Sequence, residues 1–112
     1  MTAQELFDQL AQEHLAHGDV SLGTMMNSQG LRVGERGKYY ALVSRGRLVV
    51  KLPAARAAAL VAADQAVPFE PSPGRKLREW VALEPSPPPA DDHARWRELM
   101  ADARAYAGDL GP

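Results

Sequence analysis

The stretch Lys38-Tyr-Tyr-Ala-Leu-Val-Ser-Arg-Gly-Arg-Leu-Val-Val-Lys-Leu-Pro53 decides the fold. Two runs rich in aliphatic, aromatic and β-branched residues flank Arg45-Gly46, a turn signal, so the chain is expected to fold back as an antiparallel hairpin. Alternation puts Tyr39, Ala41 and Val43 on one face of the first strand and Tyr40, Leu42 and Ser44 on the other. In the second, Leu48, Val50 and Leu52 oppose Arg47, Val49 and Lys51. One side is apolar and the other mostly basic, the pattern of a sheet with one face on a core and one facing water. Leu48, Val50 and Leu52 are the expected core set, and Arg47 and Lys51 the solvated one. Pro53 then suits a first helical turn, where its missing N–H has no partner to lose. The Ala-rich run to about Ala63 has high helix propensity, with Leu60 and Val61 as its anchors.

Upstream, Thr2 and Glu5 match a capping box, predicting a helix over residues 3–17. Leu6, Phe7, Leu10, His14 and Leu15 form its apolar stripe, and Gly18 is its expected left-handed stop. From Gly23 onward, short apolar runs broken by residues 27–30, 34–37 and 45–46 read as a meander of about four strands. Downstream, Val67-Pro-Phe-Glu-Pro-Ser-Pro-Gly74 carries three prolines and reads as an irregular surface loop plugged onto the core by Phe69. Residues 77–83 read as a strand, with Leu77, Glu79, Val81 and Leu83 opposite Arg78, Trp80 and Ala82, either face being inward. Residues 84–90 form a stiff proline-rich spacer. Asp91 or Asp92 caps a final helix over 91–107, whose stripe of Trp96, Leu99, Met100, Ala103 and Tyr106 is expected to dock on the sheet, with Gly108 closing it. The fold class is α+β: one domain, 1–112, of two layers, with an antiparallel sheet of about five strands in the order α-β-β-β-β-α-β-α.

Two segments, Gly46-Arg-Leu-Val-Val-Lys-Leu-Pro-Ala-Ala-Arg56 and Gly74-Arg-Lys-Leu-Arg-Glu-Trp80, resemble the TfoX N-terminal domain family, whose members carry G-R-L-x-x-K-L-P…R followed by G-R-x-M-x-E-W. The resemblance spans Leu6 to Leu83 and implies a two-layer α+β fold. It also points to a regulatory role of the competence and transcription kind, exercised through protein–protein contacts. The chain departs from the family in Met25-Met26-Asn27-Ser28-Gln29-Gly30-Leu31. There Met26 stands in place of an aromatic residue and Asn27 in place of a glycine. Two-domain relatives add a C-terminal helical domain, where residues 84–112 supply one helix.

The formal net charge of −1 conceals a segregation. Residues 1–31 hold four acids and no Lys or Arg; residues 32–78 hold ten bases and three acids; residues 79–112 hold three bases and seven acids. A basic middle between acidic ends has two readings, an anion-binding surface or acidic helices beside a basic sheet. With no cysteine, a disulfide framework and thiolate metal sites are excluded. The N-terminus shows no secretory leader pattern and no apolar run is long enough to span a membrane, so a soluble, cytoplasmic protein is expected.

His14 and His17 at i, i+3 lack a third ligand, Asp91-Asp92-His93 reads as a cap, and Gly34-Glu-Arg-Gly37 lacks the Gly-Lys-Ser/Thr of a phosphate loop. No Ser/His/Asp constellation is recognisable. The sequence therefore predicts no catalytic residue, cofactor or metal. Its candidate binding surface is Arg45, Arg47, Lys51, Arg56, Arg75, Lys76 and Arg78, where strand alternation gathers guanidinium groups fit for phosphate. Glu79, placed with Leu77, Val81 and Leu83, is expected as a buried acid in an ion pair with Arg56 or Arg75 in preference to a catalytic carboxylate. The reading of function is a protein-binding regulatory domain; the alternatives are weakly specific nucleic-acid binding through the basic middle and small-ligand binding in a cleft between sheet and helices.

Overall fold

In the computed structural model, which describes residues 2–25, 27–86 and 92–109, the order is α1 (Ala3–Leu15), β1 (Val20–Met25), β2 (Ser28–Val33), β3 (Lys38–Ser44), β4 (Arg47–Lys51), α2 (Ala54–Ala62), β5 (Val67–Ser72), β6 (Arg75–Leu83) and α3 (His93–Asp109). Six antiparallel strands lie in the order β1-β2-β3-β4-β6-β5, and the three helices cover one face. The α+β class and the meander over β1 to β4 agree with the sequence. The extra strand is the proline-rich segment expected as a loop. β5 carries Pro68 and Pro71 because it is an edge, where missing N–H groups leave no neighbouring strand unpaired. Its pairing with β6 is irregular, with register shifts on both sides of Phe69.

The first helix is capped as predicted, Thr2 Oγ1 accepting from the Glu5 N–H at 3.1 Å and the Glu5 carboxylate accepting from the Thr2 N–H at 2.9 Å. It stops two residues early, at Leu15 with Ala16 as C-cap, and Gly18 is not left-handed, because the His17 N–H already closes a tight turn on the His14 carbonyl at 3.0 Å. The second helix ends in a Schellman arrangement, Gln65 N–H to Leu60 O at 2.9 Å and Asp64 N–H to Val61 O at 3.1 Å. Asp64, at φ 58, occupies the left-handed position glycine usually takes. Only Ala57 of α2 is fully buried; Leu60 and Val61, the expected anchors, are partly buried and pack against the main core. The final helix docks through Trp96, Leu99, Met100, Ala103 and Ala107 and runs past Gly108 to Asp109. Tyr106 stays half-exposed at the margin of that stripe. Asp92 is buried, its carboxylate accepting from the Ser86 N–H and hydroxyl, both at 2.7 Å, which ties the chain after β6 to the start of α3. Asp91 and most of the proline-rich spacer lie outside the described residues, as does Met26.

The main core joins the helices to Leu31, Val33, Leu48, Val50, Leu52, Val81 and Leu83. The opposite face is not simply solvated, as alternation implied. There Leu42, Val49, Phe69, Trp80 and Ala82 form a second cluster, flanked by Met25, Tyr39 and Leu77. Simple alternation fails in β3 because of a bulge: Leu31 pairs with Ala41 but Arg32 with Tyr39, leaving Tyr40 as the extra residue. Tyr40 and Ala41 therefore both join the helix side, while Tyr39 and Leu42 face away. In β6 the inward residues are Val81 and Leu83, and Leu77 sides with Trp80 because the β5 pairing slips between them.

Tyr39 explains the cross-strand pair Gly23–Gly30. Its ring lies over both, and its hydroxyl donates to the Thr24 carbonyl at 3.0 Å. A Cβ on Gly23 would lie 2.2 Å from Tyr39 Oη and one on Gly30 would lie 3.1 Å from the ring. This is an aromatic side chain filling the space that paired glycines leave on a sheet. Gly23→Ala is expected to destabilise the protein by about 1–2 kcal/mol through the displaced ring and lost hydrogen bond. Urea denaturation checks this, and the cost should shrink markedly in a Tyr39→Leu background; an equal cost there would deny the ring its role.

On the helix side, His14 Nδ1 and Tyr40 Oη are 2.7 Å apart and buried. Burial, then the Arg104 and His17 charges, push the imidazole down to about 4 from 6.5, against a weaker pull from Glu13. Burial likewise holds the Tyr40 phenol well above its ordinary range. A neutral imidazole and a protonated phenol therefore share this hydrogen bond. Below pH 6.5 the unfolded chain takes up a proton that folded His14 refuses until about pH 4, so stability falls as pH drops through that window and is flat above it. The expected loss between pH 7 and 5 is about 1.5 kcal/mol. Denaturation midpoints across that range should show it in the wild type, with a shallower slope in His14→Leu.

Candidate functional site

Most of α2 is alanine, and small side chains decide its surroundings. With only Ala57 buried, the helix meets β6 along a thin contact and leaves an open groove of about 640 Å³ beside it. Exposed Ala54, Ala58 and Ala62 share one side of the helix at i, i+4, i+8 and line one wall. Pro68, Leu77, Trp80 and Val81 line the other. Lys76 and Arg78 are the charged side chains bordering it among the described residues, both on the part of β6 nearest the β5–β6 turn. Lys51 Nζ lies 6.0 Å from the Trp80 ring centroid, near the limit for a cation–π contact.

The seven basic residues singled out from the sequence do not form one patch. Arg56 turns to the helix layer and binds Asp102, joining α2 to α3. Arg47 binds Glu84, Nε to Oε1 at 2.8 Å and Nη2 to the same oxygen at 2.7 Å. Lys51 reaches Glu79 at 3.9 Å, and Lys76 reaches Glu70 at 4.0 Å. Arg45, Arg75 and Arg78 are exposed, and the ion pairs among the described residues include none of them. What the fold does gather is Arg45, Arg47 and Lys76, around a hollow of about 320 Å³ on the helix-free face.

Glu79 is not the buried partner of Arg56 or Arg75. It is half-exposed, pairs with Lys51, and accepts a hydrogen bond from Tyr106. Partial desolvation first, and that hydrogen bond second, push the Tyr106 phenol up. The physical reason is strand end geometry: Glu79 precedes Trp80, which pairs with Lys51 at the last position of β4. Beyond that the neighbouring chain, its Leu52 N–H on the Glu79 carbonyl at 2.8 Å, leaves the sheet. A carboxylate there has access to water. Arg97, absent from the sequence reading, makes a forked contact with Glu13 at 2.8 and 3.1 Å that ties α3 to α1. It holds the Glu13 carboxyl below its ordinary value and raises the guanidinium.

Arg32 is a further basic residue on the helix-free side, its Nε donating to Ser21 Oγ at 2.9 Å and its guanidinium beside Gly23 and Gly37. The sequence offered a cleft between sheet and helices as one alternative but named no residue of it; the groove lies between α2 and β6. Its signal was present in the run of alanines after Pro53, which offers little to bury. Neither His14 nor Tyr40 lines the groove or the hollow. Among the described residues no three His, Cys, Asp or Glu side chains gather to hold a metal ion. None of the described helices is long and apolar enough to cross a membrane. Comparison of the chain with protein-family models, with characterised proteins and with solved structures finds no match, so the groove and the hollow have to be read from their own chemistry.

Proposed function

We propose that this chain is a non-enzymatic regulatory domain that works by binding a protein partner, in keeping with its resemblance to TfoX N-terminal domains. The α2–β6 groove is the docking surface in this reading. The observation that carries it is an open apolar trough of about 640 Å³ with small residues on one wall and a cationic border. Recognition sites are typically apolar with a few placed polar groups, and small side chains let a partner's backbone approach closely. The occupant that fits is an amphipathic helix with an acidic residue near one end. Lys76 and Arg78 meet that acid while the alanine wall and Trp80 receive its apolar face.

A library of helical peptides displayed on phage, selected against the protein, tests this. Selected sequences should be acidic and amphipathic, and should bind Ala58→Trp, whose ring fills the trough, roughly tenfold or more weakly than wild type. Ala58 is exposed, so the variant should keep its melting temperature. Failure to select binders, or binding indifferent to Ala58→Trp, would remove the groove from the function.

Weakly specific nucleic-acid binding is the second reading, favoured by one observation: Arg32, Arg47 and Lys51 share the helix-free side, with Arg45 and Lys76 beside them. Glu70, Glu79 and Glu84 sit among these cations and offset them, which ranks it lower. A duplex titration at about 50 and 200 mM salt decides it, since several phosphate contacts would make affinity fall by orders of magnitude. No binding at the lower salt would end this reading.

A further inference from the structure

The β3–β4 hairpin closes through a two-residue loop, Ser44 facing Arg47, with both loop residues at positive φ, 54° for Arg45 and 75° for Gly46. Loops of this geometry favour Asn-Gly, Asp-Gly or Gly-Gly; a long side chain in the first place is strained. Strain of this kind persists where the residue serves something other than stability. No ion pair among the described residues accounts for Arg45, whose side chain is exposed.

Two hollows on the helix-free side, of about 320 and 330 Å³, border Arg45 and share Ser44, Phe69 and Glu70 with it. The first takes its apolar lining from Val67, Pro68 and Phe69, backed by buried Val49 and Ala82, and is bordered by Arg47 and Lys76. Most of the charge there is already matched: Arg47 holds Glu84 at 2.7 Å and Lys76 faces Glu70 at 4.0 Å. Arg45 is the cation left over. A ligand completing this set carries one negative charge on a planar, two-oxygen head that matches a guanidinium fork. Its body is apolar and small.

We propose that this hollow is a binding site for a small carboxylate with an apolar body, the carboxylate held by Arg45 and the body resting on Val67, Pro68 and Phe69. A simple monocarboxylic acid and an apolar amino acid share this chemistry. The amino acid would add an ammonium facing Glu70. The hollow shares Pro68 and Lys76 with the α2–β6 groove, but its test alters neither residue and is independent of that reading.

The experiment titrates the full chain with 3-phenylpropionate, L-phenylalanine and the uncharged 3-phenylpropanamide, following melting temperature and backbone amide shifts. At least one of the two carboxylates should raise the melting temperature dose-dependently and shift the amides of residues 44–47, 69 and 70, while phenylpropanamide should do neither. Arg45→Asn installs the favoured Asn-Gly turn, so the ligand-free variant should melt at the same or a higher temperature than wild type while binding roughly tenfold or more weakly. Tighter binding of phenylalanine, with the gain lost in Glu70→Gln, assigns the amino acid; the reverse order assigns the simple acid. Absence of binding by either carboxylate at concentrations on the order of 10 mM overturns the proposal. So do equal binding of the amide, undiminished binding by Arg45→Asn, and a lowered melting temperature in that variant, which would make Arg45 a structural residue.

Discussion

Burial of β4 on both faces is the constraint on which the rest depends. Leu48, Val49 and Val50 are all wholly inaccessible, though Val49 points opposite to its two neighbours. A strand apolar on both sides needs cover on both, and the helices supply only one layer. The other has to come from the sheet itself. The β5–β6 pair meets this need by slipping register around Phe69, which brings Phe69, Leu77 and Trp80 to the helix-free side over Leu42, Val49 and Ala82. Each of these aromatic and aliphatic groups contributes on the order of 1.5–3 kcal/mol by leaving water. The prolines of β5 are compatible with that geometry because no seventh strand asks for their missing N–H groups.

How far the fold was legible follows from which signals are local. The capping box at Thr2 and Glu5, the turn at Arg45-Gly46 and the stripe from Trp96 to Ala103 are written in neighbouring residues, and they lie where the spacing placed them. The β5 strand was hidden because proline weakens every local strand signal, and only the adjacent β6 makes pairing possible. The bulge at Tyr40 was equally invisible, since an unbroken run of strand-forming residues carries no mark of one residue too many. In α2 the anchors Leu60 and Val61 pack against the core from partly exposed positions, and the fully buried contact is a small residue, Ala57, whose role its size did not announce.

The candidate site shows the same division. Alternation correctly put Arg47 and Lys51 on a common side, but identity alone does not tell a free cation from one answered by a distant acid. Glu84 and Glu79 belong to a different strand and its exit, and they reach β4 only because β6 is its spatial neighbour. Arg56 was grouped with these residues by sequence proximity and is drawn to Asp102 instead, on the opposite side of the sheet. Such exposed pairs contribute little stability each. Their effect is to select which positive charges of that set remain available, and Arg45, Arg75 and Arg78 remain.

The two borders of the sheet are unequal. One, β5, is interrupted by Pro68 and Pro71; the other, β1, runs Val-Ser-Leu-Gly-Thr-Met with no proline or charge, and its Leu22 is 37% exposed. Unguarded borders are where strands from separate chains join and fibrils begin. Here the joining surface is used up at once. Two molecules meeting through β1 would leave only their proline-broken borders outward, so association by this route terminates at a pair and cannot propagate into a cross-β polymer.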